Sequence, residues 1–373
     1  MIKFEFMARK QFTVLLLALG IMYVGCMGEV WAQDPQFSQF YNAPLYLNPS
    51  FTGATNSNRV ILNHRLQWPN LPQTFATYTF SYDIMRPELR SGFGILVSTD
   101  KAGSASLRTT NIDLMYAYKI QYGDRWVMTP SIYFGYGMSS IDLGKLLLGD
   151  QLEFGNGTAP TLDPAIAALG NTSYFDIGTG FLMYSVRHWL GLSAYHINRP
   201  NVSLLKAESR LPVRWNLHGG TRIPLNRGFN PQPTGAALVP YFQFRKQGSF
   251  EQFDLGLNYV IPPLTIGLMY RGVPFLTQQS NPPDGSNIVN QTVNPSTDAL
   301  VFLLGMQIYN FQFAYSFDFT ISTLGSESGG AHEISLIWEF QLLNPRHVKR
   351  RVKQIPCPTF NTAKGGVNPF RKR

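Results

Sequence analysis

Apolar and polar positions alternate strictly through Phe311–Thr320, which reads FQFAYSFDFT. Phe311, Phe313, Tyr315, Phe317 and Phe319 fall on one side, and Gln312, Ala314, Ser316, Asp318 and Thr320 on the other. A period of two marks a β-strand with one apolar face and one wet face. The pattern recurs. Ala76, Tyr78, Phe80, Tyr82 and Ile84 oppose Thr77, Thr79, Ser81 and Asp83. Ile112, Leu114, Tyr116, Tyr118 and Ile120 oppose Asn111, Asp113, Ala117 and Lys119, with Met115 out of step. Phe253, Leu255, Leu257, Tyr259 and Ile261 oppose Asp254 and Asn258, while Ile334, Leu336, Trp338 and Phe340 oppose Glu333, Ser335, Glu339 and Gln341, with Ile337 out of step. Read this way, the chain predicts fourteen strands, at 58–68, 75–85, 91–99, 107–121, 126–139, 174–186, 189–197, 213–224, 236–246, 251–261, 264–272, 299–309, 311–320 and 331–341.

The links between these strands alternate in length. Those at 86–90, 122–125, 187–188, 262–263 and 310 are tight, and those at 140–173, 198–212 and 273–298 are long. Short turns on one rim and long loops on the other are the habit of transmembrane β-barrels, whose apolar face meets lipid and whose polar face lines the lumen. The expected fold is therefore an all-β, antiparallel transmembrane barrel of about fourteen strands. Phe311, Phe313, Tyr315, Phe317, Phe319 and Trp338 are expected to face lipid. Asp83, Asp113, Lys119, Asp254, Asn258, Asp318, Glu333 and Glu339 are expected to line the lumen. An even strand number puts both termini on the short-turn, periplasmic side. The link at 225–235 is longer than the alternation wants and the next is short, so register is least secure there. A soluble sandwich could also bury the aromatic face between sheets, but it leaves the loop asymmetry unexplained.

Composition sharpens the picture. Charged residues make up 14% of the 373, as do aromatics, against about 25% charged in soluble proteins. Mean hydropathy is near zero, at −0.08, as alternation requires. The net charge of +9 is local: nine of the 31 Lys and Arg lie in 342–373 with no acid, leaving 22 basic residues against 22 acidic elsewhere. A basic tail is not a basic face on a folded module, which argues against nucleic acid.

The first 32 residues read as an export signal. Lys3, Arg9 and Lys10 precede the apolar run 14–25, and Val30-Trp31-Ala32 suits cleavage before Gln33. Tyr23-Val24-Gly25 is a poor lipobox for Cys26, and export leaves Cys357 without a partner within the mature chain. The expected division is thus signal 1–32, N-terminal segment 33–57, barrel 58–341 and basic periplasmic tail 342–373. The N-terminal segment is aromatic, rich in amides and broken by prolines. Gln36, Phe37, Phe40, Tyr41, Tyr46 and Asn48 are expected to pack in the lumen or across its periplasmic mouth.

Catalytic patterns are missing from the sequence. The six histidines show no metal-binding spacing. His332 and Glu333 are strand neighbours that point to opposite faces. No G-x-S-x-G elbow occurs, and Gly178-Thr-Gly180 lies in a strand pattern, where it suits a bend rather than a phosphate loop. No motif asks for a cofactor, and no enzyme activity is expected. In the tail, Arg346, Lys349, Arg350, Arg351, Lys353 and Cys357 are the candidate partner-binding residues. Their charge suits either an acidic periplasmic partner or anionic headgroups, and Cys357 either meets a partner's thiol or stays free. The long loops 140–173 and 273–298, with few charges for their length, suit either contact with a secreted partner or folding into the barrel mouth.

Three segments carry a family resemblance: Asp34-Pro-Gln-Phe-Ser-Gln-Phe-Tyr with Pro44-Leu-Tyr-Leu-Asn-Pro49 and Thr52-Gly53; Tyr315-Ser-Phe-Asp-Phe-Thr-Ile-Ser322 with Gly329-Gly-Ala-His-Glu-Ile-Ser-Leu336; and Ile355-Pro-Cys-Pro-Thr-Phe360. Together they resemble the PorP/SprF family of outer-membrane proteins, which belongs to the type IX secretion and gliding-motility machinery of Bacteroidetes-type bacteria. Residues 361–373 align with nothing in that pattern. The resemblance implies an outer-membrane barrel that supports type IX secretion, or that anchors a secreted adhesin at the cell surface. Its implied partners are the secreted substrate or adhesin, periplasmic secretion-ring components and outer-membrane lipid. The competing readings are a general porin or small-solute channel, and a soluble periplasmic β-protein.

Overall fold

The structure, a computed structural model, describes residues 34–340 apart from 56, 72–73, 104–106, 124, 143–168, 206, 226–234, 274–295 and 322–325. Fourteen antiparallel strands run β1 Asn58–Gln67, β2 Phe75–Arg86, β3 Ser91–Ala102, β4 Leu107–Tyr118, β5 Trp126–Ser140, β6 Thr172–Tyr184, β7 His188–Tyr195, β8 Arg214–Thr221, β9 Ala237–Gln247, β10 Phe250–Ile261, β11 Leu264–Val273, β12 Ser296–Ile308, β13 Phe311–Thr320 and β14 Ala331–Phe340. Two short segments, Ile120–Tyr122 and Ile223–Pro224, continue β4 and β8 past a break in pairing at Lys119 and Arg222. Each strand pairs with its sequence neighbours, and β1 pairs with β14 from Asn58↔Phe340 to Gln67↔Ala331, so the sheet closes with no free edge. Closure satisfies the backbone within the ladder, as lipid requires.

The predicted strands are all present. The exception to the loop alternation is real rather than a slip of register. The link between β8 and β9 lies on the short-turn rim, while β9 and β10 join on the other rim through a turn at Gly248, which takes φ +59°. Pairing across this region stays regular from Tyr241↔Gly220 to Gln247↔Arg214.

Alternation sorts the wall into two faces. On β13, Phe311, Phe313 and Phe319 are 45–49% exposed on the outside, whereas Ala314, Ser316 and Asp318 are buried inside. Tyr315 and Phe317 also point outward but are half-covered, because His332 lies against both: the Tyr315 hydroxyl is 2.8 Å from His332 Nδ1 and the Phe317 ring 5.1 Å from the imidazole. Trp338 stacks on Phe311 at 5.6 Å on the same outer face. A soluble sandwich, which would seal these rings between sheets, is excluded by the closed single sheet.

Residues out of step with the alternation have a reason. Met115 and Ile337 face inward and are buried. Met115 belongs to an apolar cluster that the wall shares with Phe40, Leu45, Leu47 and Phe51 of the N-terminal segment. The core of the molecule is thus the seam between the barrel's inner wall and a segment threaded through it.

Candidate functional site

That threaded segment, residues 34–55, occupies the lumen. It folds as short turns, a 3-10 turn at Phe40–Asn42, one α-turn at Pro44–Leu47 and a second 3-10 turn at Pro49–Phe51, because Pro44 and Pro49 each pre-set a helical first turn. The Asn48 side chain caps the last turn, accepting from Ser50 N at 2.9 Å.

Polar anchors hold the segment to the wall at successive depths. At the long-loop rim, Asp34 accepts from Arg214 Nη1 at 2.7 Å and meets His196 Nε2 at 2.7 Å, while its backbone N–H donates to Gln247 Oε1 at 3.1 Å. The far nitrogen of His196 is 2.8 Å from Asp176, which also accepts from the Tyr133 hydroxyl at 2.5 Å. Burial pushes the His196 imidazole down, but Asp34 and Asp176 more than reverse this and hold it at about 9. Burial likewise pushes the Asp34 carboxyl up, and His196 and Arg214 overcome it to hold the acid well below its usual range. His196 is therefore an imidazolium between two carboxylates at neutral pH.

One step deeper lies a five-member charge network. The backbone N–H groups of Ser38 and Gln39 donate to the two oxygens of Glu333, at 2.7 and 2.9 Å. The Ser38 hydroxyl donates to Asp318 at 2.6 Å and accepts from Arg65 at 2.6 Å and Arg271 at 3.0 Å. Arg65 and Arg271 both pair with Asp318, at 2.8 and 3.1 Å; Arg65 reaches Glu333 at 3.2 Å, and Arg271 reaches Asp254 at 3.3 Å. All these charges are buried, and buried charges persist only when paired and hydrogen-bonded.

Near mid-depth Asn48 bridges to Phe181 O, Leu192 O and His218 Nε2 at 3.3, 3.2 and 3.1 Å. Ser50 meets Ser131 at 2.7 Å. Two wall glycines make the approach possible: a Cβ at Gly180 would stand 2.2 Å from Asn48 Oδ1, and one at Gly191 would stand 2.4 Å from the His218 ring. Close to the short-turn rim, Gly53 donates to Asp83 at 2.8 Å, and Asp83 pairs with Arg59 at 2.9 Å. Gly53 takes φ +65°, and a Cβ there would be 2.8 Å from Gly92 Cα, so only glycine suits the position.

Among the described residues, a small cavity of about 20 Å³ lies between Gln36, Phe37, Tyr46, Asn216 and Arg245, room for water and not for a solute. Among the described residues, no group of His, Cys, Asp and Glu is placed to hold a metal ion.

The chain matches the family model described as "Type IX secretion system membrane protein PorP/SprF" over residues 30–338. It belongs to the PorP/SprF family. This PorP/SprF chain is an outer-membrane protein, its barrel closed and its outer face apolar. Comparison with curated proteins gives no match. Among solved structures, the barrel is similar to the toluene transporter TodX of P. putida, at 10% identity and TM-score 0.45, covering 81% of this chain and 95% of that one. It is also similar to the monoaromatic hydrocarbon channel CymD, at 12% identity and TM-score 0.41 over 80% and 93% of the two chains. A third similar structure is BamA of Haemophilus ducreyi lacking POTRA domains 1–3, at 8% identity and TM-score 0.37, over 76% of this chain and 70% of that one.

In this PorP/SprF barrel the residues singled out by sequence lie as follows. Gln36 accepts from Arg245, and Phe37 meets the Tyr46 ring edge-on at 5.2 Å. Phe40 and Tyr41 both pack on Tyr241, at 5.5 and 5.0 Å. Tyr46 donates to Pro35 O at 2.7 Å beneath the Arg214 guanidinium, and Asn48 makes the bridge already described. Asp83, Asp113, Asp254, Asn258, Asp318 and Glu333 are buried on the inner face, whereas Lys119 and Glu339 are only half-buried near the short-turn rim. Arg346, Lys349, Arg350, Arg351, Lys353 and Cys357 lie outside the described residues.

One expectation needs correction. β1 begins and β14 ends at the short-turn rim, but Asp34 does not share it. Its partners are the last residue of β9, the first of β8 and the residue after β7, all at the long-loop rim. The segment crosses the whole lumen, so its ends lie at opposite mouths.

The inward arginines Arg59, Arg65, Arg214, Arg245 and Arg271 were missed by the sequence reading. For the two on β1 a signal was present: Arg59 and Arg65 share parity with Asn63, opposite Val60, Leu62 and Leu66.

Proposed function

We propose that this barrel serves type IX secretion as a docking body rather than a conduit. It holds an exported adhesin or other secreted substrate at the cell surface through its long-loop rim, and it meets periplasmic secretion-ring components through the basic tail. The supporting observation is the occupied lumen: residues 34–55 are held by an ion pair at Asp34 and by hydrogen bonds to buried wall groups from one rim to the other. Such a lumen leaves the rims as the surfaces available to partners. The role proposed is a non-catalytic one. In this reading the long-loop rim faces outward and the strand ends at Asn58 and Phe340 face the periplasm.

The direct test is affinity purification of the tagged barrel from detergent extracts of the native organism. Recovery of a large exported protein together with periplasmic ring subunits supports docking. A barrel that purifies alone from cells actively secreting type IX substrates contradicts it.

A further inference from the structure

The lumen segment has a direction, and that direction carries a consequence for the outer surface. A segment preceding β1 has a short route available: it can fold back at the short-turn rim, where β1 begins. The structure takes the long route instead. Gly53 sits beside Asp83 and Gly92 at the short-turn rim, Asn48 at mid-depth beside His218, Ser38 beside Asp318 and Glu333 nearer the other mouth, and Asp34 at the strand ends there.

The end is also clasped rather than loose. His196 opens the 196–213 loop and Arg214 directly follows it, and both close on the Asp34 carboxylate at 2.7 Å. The Asp34 backbone N–H donates to Gln247, the last residue of β9. Between its ends the loop rises as a small hairpin, bridged at Asn201↔Arg210 and by Val202 N to Ser209 O at 2.9 Å, with Ile197 and Leu205 about half exposed, at 47% and 51%. Asp34 lies at the foot of that hairpin.

We infer that the amino-terminal end of the mature chain is displayed at the long-loop mouth, at the foot of the 196–213 hairpin, as part of the surface that an exported protein meets. Display on the outer side of the membrane rests on the orientation proposed above; placement at the long-loop mouth does not.

Single-cysteine reporters test this in the full-length chain with Cys357→Ser. A Gly-Ser-Cys insertion before Asp34 reports the amino-terminal end, Ala207→Cys the hairpin, and Glu88→Cys the short-turn rim, each treated with a membrane-impermeant maleimide on intact and on permeabilised cells. Labelling of the insertion and Ala207→Cys on intact cells, with Glu88→Cys labelled only after permeabilisation, supports the inference. Labelling of the insertion together with Glu88→Cys, or of the insertion in neither condition, overturns it. If Ala207→Cys labels only after permeabilisation and Glu88→Cys on intact cells, the proposed orientation fails and outer-surface display with it, while placement at the long-loop mouth stands provided the insertion still follows Ala207→Cys. Should the insertion prevent assembly, Asp34→Cys with Gln247→Cys reads the same placement without inserted residues. A reducible internal crosslink in the assembled barrel supports it, and an assembled barrel that forms none under oxidation overturns it.

Discussion

Asp34 and His196 are separated by 162 positions in sequence, yet the carboxylate oxygen of one lies 2.7 Å from Nε2 of the other. The contact closes the lumen at the long-loop mouth, and it titrates. His196 is held at about 9, above its ordinary 6.5, so the stabilisation it gives the clasp is complete below about 6.5 and lost as pH rises through about 9. Asp34 is held below its ordinary 3.8, so its share is present above 3.8 and lost only in stronger acid. We expect amide exchange in residues 34–43, corrected for intrinsic rate, to quicken as pH passes 9 while the strands stay protected. His196→Gln should abolish that transition. A transition unchanged in His196→Gln would assign it to another group.

The network around Ser38 should be costly to break from one side. Asp318 Oδ2 accepts from Arg65, Arg271 and Ser38, so Asp318→Ala leaves two guanidiniums sharing Glu333 and Asp254. Removing one member of a buried pair costs about 3–5 kcal/mol. Urea unfolding of the refolded barrel in lipid vesicles reads the loss, and a midpoint within error of wild type would mean that the network contributes nothing.

Gly180 offers a way to disturb the segment without touching its residues. A side chain there meets Asn48 Oδ1 within 2.2 Å and Ser50 Oγ within 2.8 Å. Gly180→Val should push the 48–50 turn off the wall and expose residues 34–55 to protease, with the barrel still heat-modifiable. A segment as resistant as wild type would show that the lumen has slack at this depth.

On the outer wall, Leu304 is 56% exposed, pairs with Tyr315 and lies in the middle of the neighbouring strand. Leu304→Arg should destabilise the barrel in vesicles by about 2–4 kcal/mol, the cost of an arginine near the bilayer midplane. Loss of stability in detergent alone, with none in lipid, would remove Leu304 from the lipid face.

The wall was legible in the sequence because a two-residue period states which side each residue takes; Phe311–Thr320 alone fixes both faces of β13. Arg59 and Arg65 were legible by the same parity once Val60, Leu62 and Leu66 are read as outward. Composition announces that residues 34–55 pack against something, since Phe37, Phe40, Tyr41 and Tyr46 do not suit solvent. Their direction was not legible, because a short irregular segment has no period and fits a cylinder either way up. The clasp of Asp34, His196 and Asp176 was hidden for a related reason: its members come from three separate parts of the chain, and none has a motif around it. Gly178 and Gly180 read as a strand bend, and Gly180 proves to be clearance for Asn48.

The central claim is that the chain's own residues 34–55 close the lumen. Planar-bilayer conductance of the purified wild-type barrel tests it most directly, with a chain lacking residues 34–55 to show that insertion yields current once the lumen is empty. The account predicts a silent wild type and a conducting deletion. Steady conductance from intact wild-type barrels, equal to that of the deletion, would contradict it.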